Sequence, residues 1–408
     1  MTAITAILID SVRQLRAKRL FWIVLAISAL IFVAYGSIGF TPTGVSIGYG
    51  IWDFENEYVR EGTIYSRLLL EGIFTSLIVP LWFTWGAIIL ALVSTADIFP
   101  DFLAKGSIDL VVSKPVSRIT IFITKYVGAL LFVFAQIAIF TTGVFLVLGL
   151  RIDEWRWPVF AAIPIVLAVF SYLYAIMVLL NLLTRSALAS MLITFIVWLG
   201  LFSLQTTEGI LNTVRLGAEQ QVQATEDRLE RLDRMILLAE QSRRDRLTAD
   251  WKSQAETLRA ELPDLLEREK TWQTWHGGFR VALNFLPKPQ ETVGILQRTL
   301  EADDDEGASA DLAVVMQALT ENRLPEADEE RMSTREAFES LPEEEQLERA
   351  DEYLAEAPER REPFDESQNE ALQEDYRARS AAFILTTSLG FELFILAIAG
   401  WYFSRRDF

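Results

Sequence analysis

The chain has 408 residues, of which 51% are hydrophobic and 11 are tryptophan, and its mean hydropathy is positive. This composition favours a membrane protein over a water-soluble globular protein. The net charge of −18 is concentrated in residues 205–379, where 42 acidic and 22 basic residues give −20, whereas the rest of the chain carries +2. Such an acidic block repels phosphate and excludes nucleic acid as its partner. With no cysteine in the sequence, disulfides and thiolate chemistry are also excluded.

Residues 1–19 combine apolar positions at roughly helical spacing with a basic cluster at their end. This pattern predicts a cytoplasmic amphipathic helix that lies on the membrane surface. The alternative is an ordinary basic flank of the first membrane span. The cluster consists of Arg13, Arg16, Lys18 and Arg19.

Six segments are long and apolar enough to cross a hydrocarbon core about 30 Å thick. The first is too long for a signal peptide and has no clear cleavage site after it. The sequence therefore predicts an all-α membrane protein with six transmembrane helices, the first five of them within residues 20–204. The predicted spans are Leu20–Phe40, Ile73–Ala96, Tyr126–Leu150, Trp157–Thr184, Ser186–Thr207 and Ser380–Ser404.

Basic residues predict the orientation of these spans, because lysine and arginine are enriched in cytoplasmic loops. Eleven lie in the segments that would face the cytoplasm, and four lie in the two short outer loops, namely Arg60, Arg67, Arg151 and Arg156. We therefore expect a multi-pass protein of the cell inner (cytoplasmic) membrane with both termini in the cytoplasm. Residues 380–408 form its last span and cytoplasmic tail, and residues 205–379 then lie outside.

The first outer loop, Thr41–Gly72, is polar and contains Gly44, Gly48 and Gly50 between apolar residues. This alternation predicts a short extended piece.

The acidic block 205–379 is predicted to be a helical, partly coiled-coil extracytoplasmic domain between helices five and six. Leucine-rich stripes run through residues 216–262, and the repeat breaks at Arg243–Arg246, so we expect a bent helix or a hairpin. Pro263 is expected to interrupt the second helical stretch. Residues 326–375 are dominated by glutamate and are read as short helices or as partly disordered chain.

Residues 97–118 connect spans two and three and form a basic loop with a short amphipathic stretch between Gly106 and Pro115. Two strings in this loop, KGSIDL at 105–110 and SKPVSR at 113–118, are followed by Lys125-Tyr126. Together they resemble the coupling-loop signature of ABC transporter permeases of the type-2 exporter class. The resemblance covers residues 1–204 and 380–408; the large outer block departs from the compact members of that family.

The resemblance implies that this chain is a permease subunit whose loop docks onto a separate ABC ATPase subunit. The docking residues would be Lys105, Asp109, Lys114 and Arg118. ATP and Mg would be bound by the ATPase, and two permease subunits would pair as a homo- or heterodimer in the lipid bilayer. The complex would export a substrate or pass ATPase-driven motion to the outer domain.

Glu392 is the only charged residue within the last span. A carboxyl near mid-membrane is costly and faces a protein interior or a wet cavity. One interpretation is a substrate contact or gate. The other, which we favour slightly, is a structural acid that is hydrogen-bonded to Gln136 of span three or Asn181 of span four. These three residues form the predicted intramembrane polar site.

No other catalytic or cofactor chemistry is indicated. The chain has no G-x-x-x-x-G-K-[ST] loop, so we expect no ATP hydrolysis by this chain and no bound cofactor. His276 is the only histidine and lacks neighbours with metal-ligand spacing, so it is read as a packed or exposed side chain. The acidic run before Gly307 does not fit an EF-hand, and no metal site is predicted.

A second hypothesis is a non-transporting membrane scaffold whose outer helical domain recruits an extracytoplasmic partner protein. The apolar stripe along Leu247–Leu262 would then bind a partner helix.

Overall fold

The computed structural model describes residues 19–103, 117–241, 245–301, 319, 375 and 378–405. These residues are predominantly helical, with one small sheet. In chain order the helices are α1 (Arg19–Gly36), α2 (Ile64–Leu103), α3 (Arg118–Ile152), α4 (Trp157–Thr184), α5 (Ala187–Gln241), α6 (Asp245–Leu283), α7 (Pro289–Glu301) and α8 (Ala381–Arg405).

Among the described residues, five helices are long and apolar enough to cross a membrane: α2, α3, α4, α5 and α8. This confirms an all-α membrane protein and five of the six predicted spans. The predicted first span, Leu20–Phe40, corresponds to α1, which ends at Gly36 and whose apolar part is only Trp22–Gly36. The last residues of that prediction enter a strand instead.

A three-stranded antiparallel sheet follows α1 and accounts for the predicted extended piece. Its strands are β1 (Gly39–Thr41), β2 (Gly44–Ile47) and β3 (Trp52–Glu55), in the order β1-β2-β3. Val45 pairs with Phe40 on one side and with Phe54 on the other. Gly44 is required here because an added Cβ would lie 2.0 Å from the carbonyl oxygen of Phe54.

Contacts between residues divide the chain into two compact units. The membrane unit comprises Met1–Ser203, Phe285–Pro325 and Ser380–Phe408, and the hairpin unit comprises Leu204–Asn284 and Glu326–Arg379. The predicted outer block differs from this division, because α7 falls within residues 205–379 yet belongs to the membrane unit. Its apolar residues Val293, Leu296 and Leu300 are buried in the same core as the spans.

Helix α4 lies at the centre of the membrane unit. In its most apolar window 67% of the residues are buried, against 17% for α8. It packs against α3, α7, α8 and parts of α2. A helix that is apolar on all sides is either a membrane span or the core of a bundle, and the burial of α4 shows that it forms the core here.

Helix α2 runs from Ile64 to Leu103 with a turn at Ala96–Asp97, and it changes its winding in the middle. Residues Phe74–Gly86 are π-helical, and the N–H of Ala87 donates to the carbonyl of Trp82, five residues earlier. Pro80 lies within this stretch and has no N–H to donate. Over these 13 residues the helix is therefore wound more widely than an α-helix.

The hairpin unit is built from the C-terminal part of α5 and from α6. Lys252 pairs with Glu240 at 2.6 Å, and Arg259 pairs with Asp233 at 2.6 Å, so both pairs are symmetric about residue 246. This register shows two antiparallel helices, which confirms the predicted hairpin. Their shared core contains apolar residues of both helices, namely Leu229, Leu232, Met235, Ile236, Ala239, Trp251, Ala255, Leu258 and Leu262.

Helix α5 continues past the apolar segment that ends at Thr207 as far as Gln241, because the following residues are rich in helix formers. One expectation about these helices was wrong. Helix α6 is not interrupted at Pro263 but runs through it to Leu283. A proline removes one helical hydrogen bond, and the apolar contacts of Leu258 and Leu262 with α5 hold the helix on its N-terminal side.

Candidate functional site

Glu392 lies in the middle of α8, as the twelfth of its 25 residues. The side chain is buried, with 7% of the residue exposed. Helix α8 packs against α4 and α3, so the carboxyl faces the interior of the membrane unit. The structure therefore places this acid in the middle of its helix and within protein, whereas its depth in a membrane stays a prediction.

Two hydroxyl groups bind the carboxyl. Tyr126 of α3 donates to Glu392 Oε1 at 2.8 Å, and Ser171 of α4 donates to Glu392 Oε2 at 2.7 Å. The Tyr126 ring also stacks on Tyr174 of α4, with 5.3 Å between the ring centroids. One carboxyl thus joins three apolar helices at a single level.

The other two residues of the predicted polar site do not join it. Gln136 lies ten residues beyond Tyr126 on α3, and Asn181 lies ten residues beyond Ser171 on α4. Each is about 15 Å along its helix from the Glu392 level, at 1.5 Å per residue. Glu392, Gln136 and Asn181 therefore occupy three different depths, and the predicted hydrogen bonds from Gln136 or Asn181 to Glu392 were wrong.

Asn181 instead forms a separate polar joint. Its side-chain amide donates to the carbonyl of Ala96 at 3.0 Å, and its carbonyl oxygen accepts from the hydroxyl of Ser190. This joint connects α4 to α2 and to the start of α5. A buried amide with both ends bonded has a structural role, because an unsatisfied amide would cost several kcal/mol in hydrocarbon.

The partners of Glu392 could not be assigned from sequence spacing alone. In the sequence Tyr126 stands out only as part of the family-like string, and Ser171 has no distinguishing pattern. Both are ordinary membrane-helix residues, and only the packing of three helices brings them to the same level. The site they form offers a carboxyl and two hydroxyl groups in an apolar interior, which suits contact with a polar substrate or a fixed link between moving helices.

The predicted docking loop is described only at its end. Lys105, Asp109 and Lys114 lie outside the described residues. Arg118 is the first residue of α3, and its guanidinium donates to the carbonyl of Ser404 near the end of α8, with 3.4 Å between the two atoms. The helix that leaves the loop is therefore bonded to the helix that carries Glu392.

A second buried glutamate lies in the hairpin unit. Glu208 of α5 accepts two hydrogen bonds from the guanidinium of Arg379, at 2.8 and 3.2 Å. Nε2 of His276 on α6 lies 2.9 Å from Glu208 Oε1. Arg379 also donates to Asp375, which accepts from Asn212 as well. This group of five residues is hereafter the Glu208 network.

The charges in this network shift two carboxyl groups in the same direction. Burial raises the pKa of Glu208, but hydrogen bonds and charge from Arg379 and contacts with His276 outweigh it, so the pKa lies below its ordinary value of 4.5. Burial also raises the pKa of Asp375, and Arg379, Asn212 and Arg215 bring it below 3.8. Both acids are therefore ionised at neutral pH.

Sequence reasoning missed the Glu208 network, although one signal was available. Glu208 is the first charged residue after the fifth apolar segment, and Arg379 is the last before the sixth. Opposite charges at two such boundaries are candidates for pairing. His276 is indeed packed, as one of the two readings held, but its partner is 68 residues away.

No group of three or more potential metal ligands occurs within the described ranges. Searches of family models, curated proteins and solved structures gave no match to this chain.

Proposed function

We propose that the chain is the membrane-spanning permease subunit of an ATP-driven exporter, with ATP hydrolysis on a separate ATPase that docks on residues 97–118. The observation that carries this proposal is the double connection between α3 and α8. Arg118 bonds to Ser404 at the loop end, and Tyr126 bonds to Glu392 two turns further along α3.

This arrangement gives the docking loop a physical route to the intramembrane carboxyl. A force applied to the loop acts directly on the first turn of α3. Because α3 is bonded to α8 at two levels, a shift of α3 must either move α8 or break those hydrogen bonds. Helix shifts of this kind are an ordinary way to convert a binding event into a change of access.

The scaffold hypothesis finds less support. The stripe assigned to a partner helix already packs against α5 within the hairpin, through Trp251, Ala255, Leu258 and Leu262. A partner helix would have to displace that contact. The scaffold remains the alternative outcome of the test below.

The test is co-purification of the tagged chain in mild detergent, followed by an ATPase assay. We expect a P-loop ATPase to be recovered with the chain. Charge reversal at Lys114 and Arg118, each to glutamate, should lower its recovery by about tenfold or more, since attraction becomes repulsion. Reversal of Arg234 and Arg259, which lie in the hairpin unit, is the matched control and should change nothing.

Recovery of extracytoplasmic proteins without ATPase activity would favour the scaffold. Unchanged ATPase recovery in the Lys114→Glu, Arg118→Glu variant would remove the proposed docking loop. Testing Lys114→Glu alone separates docking from the hydrogen bond that Arg118 makes to α8.

A further inference from the structure

Helix α7 is an inserted element of the membrane unit. The chain reaches it after the hairpin unit, at Phe285, and α7 then packs against α4, α8 and the π-helical part of α2. Its inward face is fully buried, with Thr292 and Leu296 both at 0% exposure. A helix of 13 residues is about 20 Å long, too short to cross the bilayer.

The N-terminal end of α7 lies deep within the unit. The backbone N–H of Lys288, the residue before α7, donates to the hydroxyl of Ser388 at 3.1 Å. Ser388 is the eighth residue of α8, about 10 Å from the start of that helix, and is 0% exposed. Glu392 is one helical turn further. The start of α7 is therefore bonded to α8 one helical turn from the residue that carries the buried carboxyl.

The C-terminal end of α7 is held at the rim of the same bundle. Arg156, the residue before α4, donates to the carbonyl of Leu300 at 2.6 Å. The same guanidinium pairs with Glu71 of α2 at 2.9 Å, and both side chains are at most 15% exposed. The last carbonyls of a helix lack partners and carry its negative dipole end, so a cation here is doubly favourable.

The arrangement is that of a short helix with its ends at two depths. It starts next to Ser388, returns to the level of Arg156, and fills the space between α2, α4 and α8. Segments that enter the membrane without crossing it, and whose ends have irregular backbone, occur only where protein buries them or where they line a cavity. The π-helical part of α2, against which α7 packs, is a further indication of a functional site, because π-helical segments are frequent at such sites.

We propose that α7 is a gate that closes the path from Glu392 to the membrane face on which Arg156 lies, and that the Arg156–Glu71 pair is its latch. This inference rests on the proposed function, since a gate requires a path. When the latch is released, α7 withdraws from the bundle, and the hydroxyl of Ser388 and then the Glu392 site become accessible to water from that face.

The absence of cysteine in the sequence allows a direct test. In membrane vesicles of known orientation, the full chain carrying Ser388→Cys is treated with a membrane-impermeant cationic methanethiosulfonate on the face of Arg156. We expect slow labelling in the parent. Adding Arg156→Gln or Glu71→Gln should accelerate it about tenfold or more, the factor that corresponds to about 1.4 kcal/mol of latch stabilisation.

Three controls make the result decisive. Arg67→Gln removes a neighbouring exposed pair, Arg67–Glu154, and should leave the rate at position 388 unchanged. Ser380→Cys is exposed at the start of α8 and should be labelled equally in all variants. Ser190→Cys is buried in the separate Asn181 joint and should remain unlabelled in all of them.

Equal rates at position 388 with and without the latch, or fast labelling in the parent, would overturn the gate. Faster labelling at position 190 in the latch variants would also overturn the gate, because it would show that Arg156 stabilises the whole bundle and not α7 alone. No ATPase is needed in this experiment. If the latch variants are labelled faster but no ATPase co-purifies, the gate is retained and the ATP-driven exporter is rejected. If an ATPase co-purifies but the latch variants are labelled at the parent's rate, only the gate is rejected.

Discussion

Among the residues that the structure describes, each unit buries one glutamate, and the two units satisfy it in opposite ways. Glu392 in the membrane unit is 7% exposed and accepts hydrogen bonds from the hydroxyl groups of Tyr126 and Ser171. Glu208 in the hairpin unit is 4% exposed and binds the guanidinium of Arg379 and the imidazole of His276. Similar burial therefore accompanies neutral partners in one unit and a cationic partner in the other.

The difference in partners follows from the groups that can lie beside a buried carboxyl in each unit. A permanent cation inside a bundle of apolar helices would itself require a partner, whereas hydroxyl groups bring no charge and also bond to helix carbonyls. Beyond the apolar segment of α5, arginine can pair with several acids at once, and Arg379 does so with Glu208 and Asp375. Removing one residue of the Glu208 network should therefore lower the stability of the fold far more than removing one partner of Glu392.

The largest effect is expected for Arg379→Met. This change leaves the buried Glu208 without its guanidinium partner, which typically costs about 3–5 kcal/mol, whereas Asp375 keeps its pair with Arg215. Hydrogen exchange measured by mass spectrometry on the full chain should show this loss of protection in peptides from residues 208–241 and 268–283. Arg259→Met, which removes an exposed pair with Asp233, is the control and should cost about 0.2–1 kcal/mol. Equal effects would show that the network contributes no more than a surface pair.

A matched pair of substitutions sharpens the comparison. Glu208→Gln weakens hydrogen bonds to a charged donor and should cost about 1.5–3 kcal/mol, whereas Glu392→Gln retains an acceptor for a hydroxyl group and should cost less than about 1 kcal/mol. Local exchange protection in α5 and α8 measures both. We expect Glu392→Gln to assemble normally. If it also transports normally, Glu392 is not a charge-dependent gate, and a cost equal to that of Glu208→Gln would contradict the contrast between the two sites.

The smallest effect is the response of the hairpin unit to acid. The pKa values of Glu208 and Asp375 are lower in the folded state, so their stabilisation is fully present above the ordinary values of 4.5 and 3.8. It is lost as the pH falls below those values and through the lowered pKa values of the folded state. The loss should be smaller for Asp375 than for Glu208, because the Asp375 side chain is 24% exposed and solvent screens its interactions.

Exchange protection at pH 7 and pH 3, corrected for the intrinsic rate, measures this response. The double variant Glu208→Gln, Asp375→Asn should be less stable at pH 7 and should lose the additional acid sensitivity. If that variant responds to acid as the parent does, the sensitivity comes from other carboxyl groups.

Much of the helical architecture could be predicted because apolar runs of 20 or more residues have few alternatives in a bilayer. The sequence correctly indicated α2 to α5 and α8 as spans and a hairpin break near residue 246. It failed at Pro263, where packing extended a helix past a local boundary signal. It also assigned α7 to the outer block, because the short apolar face of that helix is not distinguishable from an ordinary amphipathic helix.

The sequence by itself determined that the chain has a membrane body, that residues 205–379 are acidic, and that Glu392 is a lone charge at mid-span. These are properties of composition and of distance along the chain. Only the tertiary structure decided which groups meet those charges: Tyr126 and Ser171 at Glu392, Arg379 and His276 at Glu208, and Arg156 at the end of α7. The physical reason is that a hydrogen bond requires two atoms at about 3 Å, and no spacing along one helix reveals which residue of another helix arrives at that level.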